Sequence, residues 1–255
     1  MPKIISIHSY RGGTGKSNLA ANLATVVALQ SKRVAVIDTD IQSPGIHNIF
    51  DLDEDKISRT LNDYLWSRSL IEDNVYNVSE AAGVKDRGNL FLIPSSINPD
   101  EIARILSEGY NVSLLNEGIR QLVDNLKLDY LFIDTHPGLS KETFLSIVMS
   151  NILILLLRPD RQDFQGTAVT VDLARQLMVP KMMLVINKVV SSIDFADLKK
   201  QVEKTYLTPV AGIFPVSEEM MRLGSNGIFC QEYPEHPWTD ILMQVIRQIL
   251  TTPLS

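Results

Sequence analysis

The chain has 255 residues, 45% of them hydrophobic, which is enough to bury one sizeable core. Its formal net charge of −6 and isoelectric point near 5.3 exclude an overall field that attracts nucleic acid or an anionic membrane, and leave only a local basic patch for such contacts. The single cysteine, Cys230, excludes an internal disulfide and a cysteine-pair metal site within one chain.

The amino terminus carries no signal-peptide pattern, because Met1-Pro2-Lys3 leads straight into a short β-like run. The longest apolar stretch, Ile152–Leu157, is too short to span a bilayer. We therefore expect a soluble, cytoplasmic protein.

Apolar runs of strand length alternate with longer segments of helical periodicity, which is the pattern of βαβ units. Most strand candidates are continuous Val/Ile/Leu-rich runs, as expected for strands that are buried on both faces. The sequence thus predicts one α/β domain over residues 1–255, with a mostly parallel central sheet of about seven or eight strands flanked by helices. The predicted strands are 3–8, 33–38, 89–93, 130–134, 151–157, 182–187 and 209–214, and the predicted helices are 16–30, 99–107, 113–126, 141–149, 166–177, 195–205 and 238–250.

Residues 50–87 form the least regular part of the pattern. They include the acidic cluster Asp51, Asp53, Glu54 and Asp55. Charge runs of this kind usually lie in solvent, so we predict an exposed loop here.

A glycine-rich segment, residues 11–17, follows the first predicted strand and opens an alanine-rich helix. Small residues let successive backbone N–H groups surround phosphates, and glycine permits the positive φ angles of such a loop. Lys16 would neutralise the β- and γ-phosphates, Ser17 would offer its hydroxyl to Mg²⁺, and the helix N-terminus would add partial positive charge. The strict pattern has glycine at position 10, where this chain has Tyr10. The predicted contacts to ATP or ADP are Gly12, Gly13, Thr14, Gly15, Lys16, Ser17 and Asn18.

Carboxylates end two of the predicted strands. The second strand closes with Asp38-Thr39-Asp40, and the fourth with Asp134. Ligands of open α/β sheets bind at the carboxyl ends of strands, so these side chains are candidates for the same site as the glycine-rich loop. Asp134, after four apolar residues, is typical of a strand whose aspartate holds Mg²⁺ through water. Either segment alone is also compatible with ordinary loop carboxylates.

The glycine-rich loop resembles the deviant Walker A motif, KGGxGK[ST], of the ParA/MinD ATPases. In that family a lysine before the glycine pair reaches across a face-to-face dimer to the partner's nucleotide. Arg11 occupies this position here and keeps a positive charge suited to phosphate oxygens. The resemblance implies catalytic roles for Lys16, Arg11 and Asp40, with Asp40 positioning the attacking water. It also implies metal-site roles for three residues, namely Ser17, Asp38 and Asp134.

The resemblance extends from Lys3 to about Leu250 and is weakest over residues 50–87. It implies that Asn187, which ends a later strand, contacts the adenine edge through its amide. It also implies that Pro215 and Val216 belong to a loop that closes over the base. We interpret His136, in the loop after Asp134, as structural.

Several other functions found among related proteins fit the sequence less well. Iron–sulfur carriers of the same superfamily need cysteine pairs, and this chain has Cys230 alone. The last helix has Arg247 as its single basic residue, whereas a membrane-surface helix usually carries several. Acidic and basic residues nearly balance over residues 151–255, so DNA binding is not indicated either. Tyrosine autokinases would carry a tyrosine-rich tail, and ligase relatives a second substrate pocket for which we find no motif.

The resemblance therefore implies a Mg-ATP-binding and ATP-hydrolysing switch of the ParA/MinD type. ATP would close a homodimer that positions or partitions a cargo, and a protein partner would stimulate hydrolysis. Non-specific DNA and a membrane surface stay open as binding surfaces, with nucleoid or inner membrane as the place of dynamic association. The alternative is an ATP-binding regulatory or scaffold module with little turnover, in which Arg11 has altered the dimer contact.

Overall fold

The computed structural model describes residues 2–253, without the side chains of residues 141 and 142. Within that range eight strands form one sheet, which confirms the predicted α/β fold, and all seven predicted strands are among them. The eighth is a two-residue strand inside the irregular segment 50–87. The strands are β1 Lys3–His8, β2 Arg33–Thr39, β3 Tyr76–Asn77, β4 Asn89–Ile93, β5 Tyr130–Thr135, β6 Ile152–Leu157, β7 Lys181–Val189 and β8 Val210–Pro215.

The sheet order is β3-β4-β2-β5-β1-β6-β7-β8, and every neighbouring pair is parallel except β3 and β4. β1 therefore lies between β5 and β6, near the middle of the sheet. After β1 the chain first builds the side of the sheet that contains β2, and from β6 onward it adds strands to the other side of β1. Such a reversal of direction opens a crevice at the carboxyl ends of the strands, where ligands of α/β proteins bind.

Helices cover both faces of the sheet. None of them within residues 2–253 combines the length and hydrophobicity that a membrane crossing needs. They are α1 Lys16–Ala28, α2 Ile46–Ile49, α3 Leu61–Leu65, α4 Pro99–Glu108, α5 Val112–Asn125, α6 Lys141–Met149, α7 Arg161–Gln176, α8 Phe195–Tyr206, α9 Glu218–Leu223, α10 Phe229–Glu232 and α11 Pro237–Thr251.

Helix α7 begins earlier than the sequence prediction, which started it at Gly166. Asp160 is its N-cap, and its carboxylate accepts hydrogen bonds from the backbone N–H groups of Gln162 and Asp163. A carboxylate in this position satisfies two backbone N–H groups that have no partner within the helix. It also interacts favourably with the positive end of the helix dipole. The prediction relied on the spacing of apolar residues, which gives no signal for such a polar first turn.

The core has a layer on each face of the sheet. α1, α10 and α11 pack on one face, where Trp238 lies 4.6 Å from Phe214 between ring centroids. α11 buries its apolar side there, which confirms its interpretation as a core helix. All six residues of β6 are buried, and each fully buried Leu or Ile side chain contributes about 1.5–3 kcal/mol.

The segment 50–87 matches its prediction in part. Asp51, Asp53, Glu54 and Asp55 are all exposed, as expected. The remainder is more ordered than predicted, since it contains α3, β3 and two short 3₁₀ turns, Glu54–Lys56 and Ile71–Asn74. Helix α3 begins at Thr60, where a capping box with Asp63 satisfies its first turn.

Candidate functional site

The glycine-rich loop joins β1 to α1 and leaves the N-terminus of that helix open. Gly13 and Gly15 adopt φ angles of +72° and +99°, which side-chain-bearing residues rarely adopt. Gly15 is the N-cap of α1, and no side chain caps the first turn. The first N–H groups of α1 are thus available to an anion, at the positive end of the helix dipole.

Lys16 and Ser17 lie in the first turn of α1. Lys16 is buried, and its charge acts on the Asp134 carboxyl. The Ser17 hydroxyl hydrogen bonds to Asp134. The structure therefore brings the predicted phosphate-binding lysine and the predicted metal-binding serine together with the carboxylate at the end of β5.

The parallel pairing of β2 with β5 sets Asp38 directly opposite Asp134. Both side chains are 1% exposed. Burial, followed by the charges of Asp134 and Asp40, raises the pKa of Asp38 well above its ordinary value. Burial raises the pKa of Asp134 to about 6, although the positive charge of Lys16 and the Ser17 hydrogen bond act in the opposite direction.

This pair of carboxylates fits a bound Mg²⁺. Asp38 Oδ2 and Asp134 Oδ1 are buried and have no hydrogen-bond partner among the described residues. Two buried carboxylates with free oxygens, beside a serine hydroxyl, offer the hard oxygen ligands that Mg²⁺ prefers. A divalent cation would also offset the burial that raises both pKa values and the charge of Asp134 that raises the pKa of Asp38 further.

Asp40 and His136 meet above this pair. Asp40 Oδ1 lies 2.6 Å from His136 Nδ1, and the Asp40 backbone N–H donates to Asp38 Oδ1 at 2.9 Å. The sequence predicts a structural role for His136; the structure places it at the site, in contact with Asp40. A sequence signal for it exists: Asp134-Thr135-His136 repeats the spacing of Asp38-Thr39-Asp40 on the neighbouring strand.

These residues border a cavity of about 340 Å³ at the carboxyl ends of β1, β2 and β5. Residues with no sequence motif also contribute to it, from the β2–α2 loop, from α2 and from the loop after α9. The lining residues are Gly12, Gly13, Gly15, Lys16, Ser17, Asn18, Asp40, Ser43, Gly45, Ile49, His136, Pro137 and Ser225.

A second cavity of about 560 Å³ adjoins the first. Its walls come from the β2–α2 loop, the α4–α5 connection and the β5–α6 loop. Thr39 and Ile105 are among its buried residues. His136 is the described residue that lines both cavities, so its side chain forms part of the partition between them.

Asn187, Pro215 and Val216 lie on the β7–β8 side, outside the lining of the 340 Å³ cavity. The Asn187 amide donates to the Thr14 carbonyl oxygen at 2.8 Å, so it braces the glycine-rich loop. A Cβ atom on Gly15 would come within 2.8 Å of that amide, which is a second reason for glycine there. The adenine-binding role of the three residues stays a prediction.

Arg11 points to α7 within its own chain. Its guanidinium lies 3.6 Å from Asp160 and 3.8 Å from Asp163, and its side chain is 41% exposed. Asp163 is buried and is also held by Arg158, whose Nε donates at 3.0 Å. Tyr10, at the position of the missing first glycine, lies against Gly166 of the same helix, where a Cβ atom would overlap the ring.

A family model described as an AAA domain, AAA_31, matches residues 2–182, which is more than half of the chain. The chain belongs to this AAA domain family. Among curated relatives, the ATP-binding protein MJ0547 of Methanocaldococcus jannaschii is 26% identical over 248 residues, covering 96% of this chain and 87% of that protein. An iron–sulfur cluster carrier protein of Methanococcus maripaludis is 26% identical over 189 residues, covering 72% of this chain and 59% of that protein.

Solved structures of MinD and ParA ATPases share the fold of this AAA-family chain. The septum site-determining protein MinD of Pyrococcus horikoshii, complexed with Mg-ADP, superposes with a TM-score of 0.82 at 19% identity, covering 98% of this chain and 97% of that one. A ParA family ATPase from Chlorobium tepidum gives a TM-score of 0.75 at 18% identity, covering 99% and 100%. The predicted resemblance to the ParA/MinD ATPases is confirmed.

The buried carboxylate pair makes the nucleotide-free protein sensitive to pH. The unfolded Asp134 carboxyl ionises near pH 3.8 and the folded one near pH 6, so the free energy of unfolding falls as pH rises between these values. Asp134→Asn should therefore stabilise the protein in EDTA at pH 7.5 by up to about 3 kcal/mol and have little effect at pH 4. Urea denaturation at both pH values measures this. The exposed Asp55→Asn is the matched control, and an unchanged stability of Asp134→Asn at pH 7.5 would contradict the assignment.

Lys16→Ala removes the one buried ammonium beside the open helix N-terminus among the described cavity residues. We expect the affinity for Mg-ATP to fall at least about 100-fold, because no other described lysine lines the cavity. Isothermal titration calorimetry measures the affinity, and circular dichroism checks the fold. Lys181 begins β7, at the other end of the strands from the cavity, so Lys181→Ala should bind ATP normally. Wild-type affinity in Lys16→Ala would refute the phosphate site.

Proposed function

We propose that this chain is a Mg-ATP-hydrolysing switch of the ParA/MinD type, whose ATP-bound form is a homodimer that positions or partitions a cargo. One observation carries the proposal: Lys16, Ser17 and Asp40 line a single cavity at the open N-terminus of α1, and the buried pair Asp38 and Asp134 lies next to them. Asp40 contacts Asp38 through its backbone N–H, and Lys16 and Ser17 act on Asp134. A site that served only to stabilise the fold would not hold two buried carboxylates with free oxygens.

Binding of the phosphates follows from the loop. The free N–H groups at the start of α1 and the Lys16 ammonium would hold the phosphate oxygens. Ser17, Asp38 and Asp134 would hold Mg²⁺, which supplies charge neutralisation to the phosphates when it is bound. Lys16, buried beside Asp134, is already oriented for this role, and a preorganised charge loses little on binding.

Hydrolysis would depend on Asp40. Phosphoryl transfer relies on positioning and electrostatic stabilisation more than on a strong base. Asp40 lies in the same cavity as Lys16 and Ser17, so its carboxylate can orient a water towards the end of the phosphate chain. We expect the intrinsic turnover to be slow until a protein partner stimulates it.

Dimer formation would use Arg11, which has first to leave α7. Its contacts with Asp160 and Asp163 are long, at 3.6 and 3.8 Å, and half-exposed ion pairs contribute little. Asp163 would not be left as an unpaired buried charge, because Arg158 donates to it through its backbone and its side chain. The release of Arg11 towards a partner's nucleotide therefore costs little.

The ligands and functions named for the relatives apply to this chain to different degrees. The Mg-ADP complex of the Pyrococcus MinD supports ATP or ADP and Mg²⁺ as ligands here. We do not extend iron–sulfur cluster binding from the carrier proteins to this chain. Its Cys230 is buried, and burial raises the pKa of the thiol to about 12. We further propose a cytoplasmic protein, with DNA, membrane or another protein as the surface on which the dimer acts.

Light scattering tests the proposal most directly. The mass is measured without nucleotide, with Mg-ADP and with Mg-ATP, and we expect it to double with Mg-ATP alone. Lys16→Ala should stay monomeric throughout. A chain that binds ATP, remains monomeric and shows no turnover would instead be the regulatory or scaffold module, a candidate that the engagement of Arg11 within its own chain favours.

Arg11→Ala separates binding from dimerisation. Because Arg11 lies outside the cavity lining, ATP affinity should change less than about threefold, whereas the dimer should weaken at least about tenfold through loss of one charge-assisted contact. Calorimetry and sedimentation velocity in Mg-ATP measure the two quantities. Arg247→Ala, an exposed arginine on α11, is the control. Full dimerisation of Arg11→Ala would refute the trans role.

A further inference from the structure

The hydrogen bond between Asp40 and His136 joins the two loops that follow β2 and β5. The atoms are 2.6 Å apart, and the side chains are 12% and 22% exposed. Both residues line the cavity of about 340 Å³ together with Lys16 and Ser17. A hydrogen bond to a carboxylate at this distance, partly shielded from water, orients its members more strongly than an exposed contact does.

The geometry fixes which atom donates. An ionised carboxylate only accepts hydrogen bonds, so the His136 Nδ1–H group is the donor to Asp40 Oδ1. The Asp40 backbone is held as well, since its N–H donates to Asp38 Oδ1 and its carbonyl accepts from Ser43 N at 3.1 Å. With Oδ1 engaged, Oδ2 of Asp40 is the oxygen left to accept from a water.

His136 is itself anchored on both sides. Its carbonyl accepts from the buried Thr143 hydroxyl at 3.2 Å, and the Thr135 hydroxyl before it donates to the Ile7 carbonyl at 2.9 Å. Two residues further, Gly138 N–H donates to the Ser9 carbonyl of the glycine-rich loop at 3.1 Å. The imidazole thus stands on a loop that is tied to β1, to α6 and to the phosphate-binding loop.

We propose that His136 is a positioning residue for ATP hydrolysis, which holds the Asp40 carboxylate in the orientation that aligns the attacking water. The inference rests on the proposed function, because it assigns His136 a part in that hydrolysis. His136 acts through Asp40 and needs no contact with the nucleotide. His136 also lines both cavities, so it lies beside Asp40 at the boundary between them.

The role predicts a separation of rate from affinity. Loss of the hydrogen bond lets the Asp40 side chain rotate away, and a displacement of about 1 Å at a reacting group costs up to about 100-fold in rate. Phosphate binding depends on Lys16 and α1, which His136 does not support. A purely structural histidine would instead alter stability and ATP affinity together.

The experiment compares single-turnover hydrolysis at saturating Mg-ATP with the affinity for a fluorescent ATP analogue. His136→Ala should hydrolyse about 10- to 100-fold more slowly and bind the analogue within about threefold of wild type. His136→Asn carries an amide N–H near the place of Nδ1 and should recover most of the rate. His236→Asn is the matched control: His236 faces Glu219 at 3.4 Å, neither residue lines the cavity, and asparagine keeps the N-cap role on α11.

A double variant tests whether His136 works through Asp40. Asp40→Ala combined with His136→Ala should be no slower than Asp40→Ala alone, because the two residues act as one unit. A further loss equal to that of the single His136→Ala, or a wild-type rate in His136→Ala, would overturn the inference.

If His136→Ala does not fold, His136→Asn and His136→Gln decide the question. Glutamine sets its amide farther from the backbone than Nδ1, so a slower Gln variant supports the inference and equal rates overturn it. Failure of the proposed function is distinguishable: a wild-type chain without ATP hydrolysis refutes both, whereas hydrolysis that is indifferent to position 136 refutes the positioning role alone.

Discussion

The in-register pairing of β2 with β5 is the constraint on which the rest of the site depends. It places Asp38 opposite Asp134 at the buried ends of two central strands, where neither carboxylate reaches water. Burial disfavours the ionised form of both carboxyls, and the charge of Asp134 adds to this at Asp38. A bound cation would favour the ionised forms at the same place.

The same register arranges the polar side chains around the pair. The Thr39 hydroxyl donates to the Asp134 carbonyl, and the Thr135 hydroxyl donates to the Ile7 carbonyl, so β2, β5 and β1 are cross-linked at their carboxyl ends. His8 Nδ1 must then donate to Thr135 Oγ1. Burial, followed by the charges of Lys16 and His136, lowers the pKa of His8 to about 3, so this histidine stays neutral and adds no charge beneath the phosphates.

Local sequence was sufficient for the glycine-rich loop and the strands. Lys16, Ser17 and the open helix start follow from residue types alone, and each of the seven predicted strands is an apolar run long enough to recognise. The two-residue strand β3 has no such run. Contacts between distant segments were not accessible in this way. The Arg11 ion pairs join positions about 150 residues apart, and the Asn187 contact with Thr14 requires the placement of β7 beside the loop. The place of His136 beside Asp40 was missed for the same reason, although the repeated Asp-Thr spacing on β2 and β5 would have located it once the two strands were paired.

The departures of this chain from the motif it resembles are connected by one helix. Tyr10 replaces a glycine, and its ring occupies space that only Gly166 of α7 leaves open. Arg11 replaces a lysine, and its guanidinium reaches the carboxylates at the start of the same helix. The first half of the phosphate-binding loop is therefore docked on α7, while its second half is braced by Asn187 and Lys188 of β7. A loop held on both sides by β7 and α7 has little freedom of its own, so the release of Arg11 that the proposed dimer requires has to break a contact with α7 while β7 keeps the second half of the loop in place.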